Sequence, residues 1–579
     1  MTAKDVLKKY FGYDDFRPFQ AEIIESVLAG SNTLALLPTG GGKSLCFQVP
    51  TLTMAEHLAE QGRDEGVLCL VVTPLIALMK DQVENLRQRD IRAAAIYTGM
   101  SHDQVQTALD NCQFGPYRFL YVSPERLESD DFRKRLKELP IRLVAVDEAH
   151  CISEWGHDFR PSYRRISECI PERVPVLALT ATATPEVVED IKQSLVVGRL
   201  SLDNQYTWNI FRQSFHRENL NYVVRYCRDT QAKEEQLLRI LNGVPGTAIV
   251  YVRNRKRTEE LSQFISAHNI SSSFYHAGLE PRERAIRQEA WKQNKTRVMV
   301  CTNAFGMGID KPDVRVVVHF NMPSSIESYF QEAGRAGRDG QTAYCVALYA
   351  QDDRAKMLRR IDNNYPPQEF IEKVYHCTCD FLRIGEGSGL WHTFALHMDE
   401  LCRVMHLPVI QTYSALQLLT QAGWVDFENE QETPARVRIN APREELYDFA
   451  LTREQDAVLQ ALMRRYTGIF TDLVYIREDD WHETLVSLAQ RGIITYLPRT
   501  VAAALTMTQE RQAEVYVPKR IYDVRKGIYE KRLKAVIEYV EQTQFCREQV
   551  LLGYFGETNA EPCGHCDICR RNKAAKNNA

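Results

Sequence analysis

The sequence predicts an α/β chain built as two tandem parallel-sheet domains followed by a mostly helical C-terminal region. Short apolar runs without polar alternation recur as far as Ala350, separated by helix-length polar segments, which is how strands buried on both faces read. The first of these runs leads directly into a glycine-rich loop. Beyond Ala350 the runs give way to helical periodicity and, near the end, to closely spaced cysteines. A chain of 579 residues exceeds a single core, and about three to five domains are expected.

Composition narrows the class. The chain is 44% hydrophobic and 26% charged, ordinary for a globular protein. Its net charge of −4 excludes global basicity, so any nucleic-acid contact must use a local basic channel. No apolar run approaches the ~20 residues of a transmembrane helix, and Met1–Lys9 lacks a signal-peptide core. The 15 cysteines are mostly scattered among apolar residues. Reduced thiols in a cytoplasmic protein are therefore expected, with disulfides disfavoured.

In the first domain, residues 1–205, Leu34-Ala35-Leu36-Leu37 is the strand before Thr39-Gly40-Gly41-Gly42-Lys43-Ser44. Strand, glycine loop, Lys-Ser and helix is an arrangement that holds a triphosphate; a flexible surface turn is the alternative. The glycines turn backbone N–H groups toward phosphate oxygens, and the next helix adds the positive end of its dipole. Lys43 can reach the β- and γ-phosphates of ATP, and Ser44 can ligate Mg²⁺. The full G-x-x-x-x-G-K-[ST] pattern has glycine where this chain has Leu37. Upstream, Gln20 can bond an adenine edge, and Tyr13 and Arg17 offer planes for stacking. Phe16 and Phe19 read equally well as core.

The run Val67–Val72 ends in Thr73-Pro74, and Phe119–Val122 ends in Ser123-Pro124. Each hydroxyl sits at the carboxyl end of a strand, where open α/β sheets bind ligands. Thr73 and Ser123 either contact nucleic-acid backbone phosphates or cap the next helix. Leu143–Val146 then runs into Asp147-Glu148. Asp147 can hold Mg²⁺, and Glu148 can orient and deprotonate an attacking water. Two adjacent acids at a buried strand end, downstream of Lys43-Ser44, point to nucleotide hydrolysis on a RecA-like parallel sheet.

The segment Asp147-Glu148-Ala149-His150-Cys151-Ile152-Ser153-Glu154-Trp155-Gly156-His157-Asp158-Phe159-Arg160-Pro161 resembles the RecQ family of superfamily-2 DNA helicases. So do Phe16-Arg17-Pro18-Phe19-Gln20, Thr39–Ser44 and Thr180-Ala181-Thr182-Ala183-Thr184. Superfamily-2 loops also lack the glycine replaced here by Leu37. In that family the segment after DEAH is an aromatic loop coupling single-stranded DNA to ATP hydrolysis. The resemblance puts Trp155, His157, Phe159 and Arg160 in it, and their rings suit unpaired bases.

The second domain, residues 206–350, shows strand-like runs at Thr247–Val252, Tyr275–Leu279, Val298–Thr302 and Val314–His319. It has no glycine loop of its own and is expected to complete the first site. Thr302-Asn303-Ala304-Phe305-Gly306-Met307-Gly308-Ile309-Asp310 resembles the helicase motif that senses nucleotide and DNA, and gives Asp310 as a nucleotide contact. Gln331-Glu332-Ala333-Gly334-Arg335-Ala336-Gly337-Arg338-Asp339-Gly340 resembles the motif that supplies arginine fingers. Arg335 and Arg338 are then expected to stabilise transition-state charge on the γ-phosphate.

The C-terminal third departs from the family order. Residues 351–360 fit the start of a helical zinc-binding platform whose remainder appears only at 519–570, so 361–518 reads as an insertion. Cys546, Cys563, Cys566 and Cys569 are spaced C-x16-C-x2-C-x2-C. Four thiolates at such gaps close a structural tetrahedral Zn²⁺ site, with an iron–sulfur cluster as the rival. Cys377 and Cys379, beside His376, are either a second metal site or, as a lone C-x-C on an apolar segment more often is, simply buried. Within the insertion, Met398–Met405 and Val409–Ala422 read as helices before a wing at Gly423–Phe427. Trp481–Arg491 followed by Ile493–Leu497 repeats the outline, giving one or two winged-helix-like modules. Lys519–Lys534, rich in Lys and Arg, either touches phosphates or forms a solvated helix face. Residues 571–579 read as a disordered basic tail, leaving no room for the winged helix that similar enzymes place after the zinc module.

The resemblance thus implies an ATP-dependent 3′–5′ DNA helicase of repair or recombination, acting as a monomer on single-stranded and tailed duplex DNA, away from membranes. Nucleoid association follows if the source is bacterial. A DNA translocase with weak unwinding is the alternative. A non-catalytic scaffold and an RNA helicase fit the motifs less well.

Overall fold

A computed structural model describes the chain except for Thr39, Asp64, Trp155, residues 157–158, 172–173, 196–207 and 307–310, Pro434, residues 443–444 and 477–480, Arg499 and residues 578–579. The chain divides into two bodies, Met1–Met357 with Ile528–Ala579, and Leu358–Gly527.

The first body holds two sheets. In the first, β1 (Asn32–Leu36), β2 (Leu68–Val72), β3 (Ala93–Ile96), β4 (Phe119–Val122), β5 (Ile141–Val146), β6 (Val176–Thr180) and β7 (Trp208–Arg212) take the order β3-β4-β2-β5-β6-β1-β7. All its pairings are parallel. Its central strands are buried throughout, which explains their unbroken apolar runs. Helices such as Gln20–Leu28, Leu45–Glu60 and Ile76–Arg87 contribute to a core that includes Ile24, Phe47, Met79 and Tyr121. The order sets β1, which feeds the glycine loop, beside β6, and β6 beside β5, which feeds Asp147.

The second sheet comprises β8 (Leu220–Cys227), β9 (Thr247–Tyr251), β10 (Ser272–Tyr275), β11 (Val298–Cys301), β12 (Val314–His319) and β13 (Ala343–Ala350), ordered β10-β11-β9-β12-β13-β8 and also parallel. The C-terminal segment returns to its edge strand β8. His565 Nε2 lies 2.9 Å from the Leu220 carbonyl, and the Val224 N–H donates to Asp567 at 3.3 Å. Phe555 packs against Phe215 and Phe330, with ring centroids 5.4 and 5.1 Å away.

The second body contains two modules, one nested in the other. The outer one joins helices Gln368–Phe381, Met398–Val404 and Val409–Gln421 to a sheet of β14 (Thr393–Leu396), β15 (Val425–Thr433) and β19 (Thr500–Met507), ordered β14-β19-β15. β15 and β19 form one long antiparallel pair. The inner module lies between them in sequence: β16 (Arg436–Ile439), β17 (Val474–Tyr475) and β18 (Ile494–Leu497), with helices Arg453–Arg465 and His482–Gln490. Each module has its own apolar core.

Tyr522 is buried in the outer module's core and donates to the Pro366 carbonyl at 2.9 Å, and residues as far as Gly527 belong to the second body. One expectation changes. The basic tail is helical over Asp567–Asn577. Ile568 is buried in its first turn, and the Ala, Lys and Arg that follow are strong helix formers.

Phe555→Ala is expected to destabilise the second sheet and C-terminal segment by about 3–5 kcal/mol, read as a lower thermal midpoint; an unchanged midpoint contradicts the packing.

Candidate active site and metal centre

A cavity of about 540 Å³ opens at the carboxyl ends of β1 and β5. Gly40, Gly42, Lys43, Ser44, Asp147 and Glu148 line it from the first sheet, and Arg338 from the second. The Cδ of Arg338 stands 4.0 Å from where a side chain at Gly40 would begin. Tyr13, Arg17 and Gln20 line the same cavity.

Gln20 holds the loop in shape. Its Nε2 donates to the Gly42 and Gly41 carbonyls at 3.0 and 3.3 Å, while its Oε1 accepts the Arg17 N–H at 2.9 Å. Arg17 also donates to the Gly40 carbonyl. Gly42 has φ +74°, and a Cβ there would come within 2.3 Å of Gln20 Nε2, so only glycine fits.

Burial raises the pKa of the Asp147 carboxyl, and the neighbouring Glu148 raises it further, while Lys43 opposes both. The Tyr163 hydroxyl donates to the Asp147 carbonyl at 3.0 Å. Glu148 has φ +48°, a left-handed backbone that costs a non-glycine residue on the order of 1 kcal/mol. A polar chain runs from it to the other sheet. Glu148 Oε2 lies 3.4 Å from His150 Nδ1, which lies 3.0 Å from Thr180 Oγ1. Thr180 donates to the Thr182 carbonyl at 3.2 Å, and Gln331 donates to Thr182 Oγ1 at 3.0 Å.

Other predicted residues fall elsewhere. Arg335 does not line the cavity: it is buried and donates to the Gly306 carbonyl. Thr73 and Ser123 are buried, and among the described residues neither hydroxyl has a hydrogen-bond partner. The helix after Thr73 starts at Ile76 with Leu75 as its cap, and Ser123 makes no side-chain cap, so capping does not explain these hydroxyls. Arg160 spans from its loop to the Pro74 carbonyl at 3.2 Å and to Glu125 at 3.6 Å. The guanidinium of Arg164 lies 5.5 Å from the Phe159 ring centroid. Gly156 admits no side chain, since a Cβ would meet the His150 carbonyl at 2.1 Å. Thr39, Trp155, His157 and Asp310 lie outside the described residues.

Sequence reasoning missed Phe11, Gln48, Gln82, Asn85 and Arg89, which also line the cavity. Gln48 donates to Gln82 at 3.1 Å. The available signal was Gln82, in the helix after Thr73. A second cavity, of about 630 Å³ and lined by Ser214, His216 and residues of the C-terminal segment, has no glycine loop or paired acids.

The Sγ atoms of Cys546, Cys563, Cys566 and Cys569 all lie within 4.8 Å of one another. Cys546 stands 3.5 Å from Cys563 and 3.9 Å from Cys566. Tetrahedral Zn–S bonds of ~2.3 Å imply sulfur separations of about 3.8 Å, so the donor set fits. The backbone N–H groups of Cys563, Cys566 and Cys569 donate to the sulfurs of Cys546, Cys563 and Cys566 at 3.3, 3.3 and 3.4 Å, favouring thiolates. Cys377 and Cys379 lie on the helix Gln368–Phe381, and Cys379 is in the outer module's core.

Residues 17–191 match the DEAD/DEAH box helicase family and 232–340 the helicase conserved C-terminal domain. Residues 509–570 match the RecQ zinc-binding family, and 437–484 the RecQ helicase winged-helix domain of Bacteroidota. The chain is 41% identical over 354 residues to the "Probable ATP-dependent DNA helicase RecS" of Bacillus subtilis (strain 168), covering 60% of this chain and 67% of that protein. It is 40% identical over 355 residues to the "ATP-dependent DNA helicase RecQ" of the same strain, covering 61% and 56%. With the "RecQ-like DNA helicase blm-1" of Caenorhabditis elegans it is 31% identical over 600 residues, covering 98% and 55%. The matches thus span little more than half of the latter two proteins.

Because the folded protein raises the Asp147 pKa, its ionised carboxylate costs stability above the ordinary carboxylate range and nothing below it. Asp147→Asn should raise the melting midpoint of nucleotide-free protein at about pH 8, the gain vanishing below about pH 4. A pH-independent difference contradicts this assignment.

Proposed function

This chain belongs to the RecQ family of ATP-dependent DNA helicases, and from that premise we propose that it hydrolyses ATP between its two parallel sheets to move 3′ to 5′ along a DNA strand and unwind duplex ahead of it. The observation that carries this reading is the single cavity shared by Lys43, Asp147, Glu148 and Arg338. Three of these come from one sheet and the fourth from the other, so closure of the pair around a nucleotide assembles the catalytic set.

The glycine loop cradles the triphosphate, and Lys43 neutralises its β- and γ-oxygens. Ser44 and Asp147 are the residues that would hold Mg²⁺, which when bound offsets phosphate charge. Glu148 orients the attacking water and takes its proton. Arg338 meets the charge that develops on the transferring phosphoryl group. Arg335, bound to Gly306, positions the second sheet's loop and does not act as a finger itself. Asp310, at the end of that loop's motif, is the family's nucleotide contact. Tyr13 and Arg17 flank the adenine, and Gln20 keeps the loop open for phosphate. The polar chain from Glu148 to Gln331 gives the second sheet a handle on the base.

On the DNA side, Trp155, His157, Phe159 and Arg160 form the coupling loop, with Arg160 tying it to the segments after β2 and β4. The orphaned hydroxyls of Thr73 and Ser123 serve backbone phosphates once DNA opens that edge. Cys546, Cys563, Cys566 and Cys569 would hold a structural Zn²⁺, which would tie together the C-terminal segment that packs on β8. A role in repair or recombination follows from the family reading; a cytoplasmic location agrees with 15 cysteines that form no disulfide, and among the described residues no helix is long and apolar enough to cross a membrane.

Unwinding of 3′-tailed and 5′-tailed duplexes with ATP tests the proposal. The 3′-tailed substrate should be opened in preference, and Lys43→Ala should abolish both unwinding and DNA-stimulated ATPase while keeping DNA binding. DNA-stimulated ATPase without strand separation favours the translocase; full turnover in Lys43→Ala overturns the site.

A further inference from the structure

The carboxyl end of β12 closes a buried polar cluster beside the arginine-bearing segment. His319 is the last residue of β12 and is fully buried. Its Nε2 lies 2.8 Å from Glu332 Oε2, and since a carboxylate only accepts, that nitrogen carries the proton. Its Nδ1 is buried and, among the described residues, has no partner. Glu332 belongs to the helix Ile326–Ala333, three residues before Arg335 and six before Arg338. The His319 ring stacks on Tyr251, the last residue of β9, with centroids 5.3 Å apart and planes at 19°, and its centroid lies 4.7 Å from that of Tyr329. Tyr251 donates to the Phe305 carbonyl at 3.0 Å, and Arg335 donates to the carbonyl of Gly306. Burial pushes the Tyr251 hydroxyl well above its ordinary pKa, with Arg335 opposing, so it remains a donor.

We propose that His319 and Glu332 are positioning residues for Arg338 in ATP hydrolysis, an inference that rests on the reading of Arg338 given above. β12 grips the arginine segment at two points. His319 holds Glu332 at the strand's carboxyl end, and the Gly337 N–H donates to the Val314 carbonyl at 2.8 Å at its amino end. Arg338 follows directly. A buried carboxylate is a costly way to fasten a helix where apolar side chains would pack as well; what it adds is direction, because a hydrogen bond to a charged group fixes distance and angle together. The bare Nδ1 shows that the ring is placed for Glu332 and Tyr251 at the expense of its own second hydrogen bond. His319 is also common to the two tethers on the loop after β11. It stacks on Tyr251, which holds Phe305, and it bonds the helix that leads to Arg335, which holds Gly306. The pair thereby keeps the segment of Arg338 in register with that loop. Neither residue lines the nucleotide cavity, so the pair acts through Arg338.

The test is single-turnover ATP hydrolysis by the full chain at saturating ATP and single-stranded DNA, with nucleotide affinity measured alongside. His319→Phe keeps a ring and removes the donor. It should lower the hydrolysis rate about tenfold or more, since misplacing a catalytic group by ~1 Å can cost about 10²-fold, while affinity stays within about twofold. Glu332→Ala should do the same, and the double variant should be no slower than the slower single. Should His319→Phe not fold, Glu332→Ala carries the same test. His319→Gln and Glu332→Gln, which keep a donor and an acceptor in place, should recover most of the rate. In an Arg338→Ala background, His319→Phe should cost less than about twofold, which a general loss of packing would not spare. An equal further loss in that background overturns the proposal. Parent rates in His319→Phe and Glu332→Ala beside a slow Arg338→Ala overturn the pair alone. A parent rate in Arg338→Ala overturns the reading of that arginine, and the pair with it.

Discussion

A carboxylate at the end of a strand whose last four residues are apolar and buried is tolerable only against a cation or a metal, and that constraint organises the first body. β5 delivers Asp147 into a buried corner, where desolvation and Glu148 both act against its ionised form. Lys43, reached across β6 from the loop after β1, is the cation that offsets them. The strand order that sets β5, β6 and β1 side by side is therefore the order that permits the site. Glu148 adds its own cost through a left-handed backbone, and local strain of this kind concentrates at functional sites. The corner is a poor place for charge, which a nucleotide and its cation would relieve under the proposed function.

Much of this was readable because its signals are local. Glycines before Lys43-Ser44, apolar runs ending in acid, and cysteines two residues apart each describe their own surroundings. Side chains whose role depends on distant partners were harder. Arg335 and Arg338 look equivalent at a spacing of three, yet one binds the Gly306 carbonyl and only the other lines the cavity. The hydroxyls of Thr73 and Ser123 look like helix caps and are neither caps nor exposed. Gln20 reads as an adenine contact, yet its amide is engaged by the glycine loop.

The insertion shows the same limit at a larger scale. Its helices and turns were visible from periodicity, but two outlines in succession conceal a nested pair. Only the long pairing of β15 with β19, across the intervening inner module, reveals that the second lies inside the first's hairpin. Sequence separation hid that contact, because local periodicity carries no information about which strand a strand will join. The terminal helix was missed for a different reason: its polar composition suggests disorder, and one buried isoleucine anchors it.

The central claim is that the two sheets form one ATPase, with Arg338 acting across the cleft on the transition state. Single-turnover hydrolysis and nucleotide affinity, measured side by side for Arg338→Ala with DNA bound, test it most directly. Nucleotide affinity should stay near that of the parent chain while the hydrolysis rate falls about 10³-fold or more. An undiminished rate, or a loss confined to affinity, would contradict it.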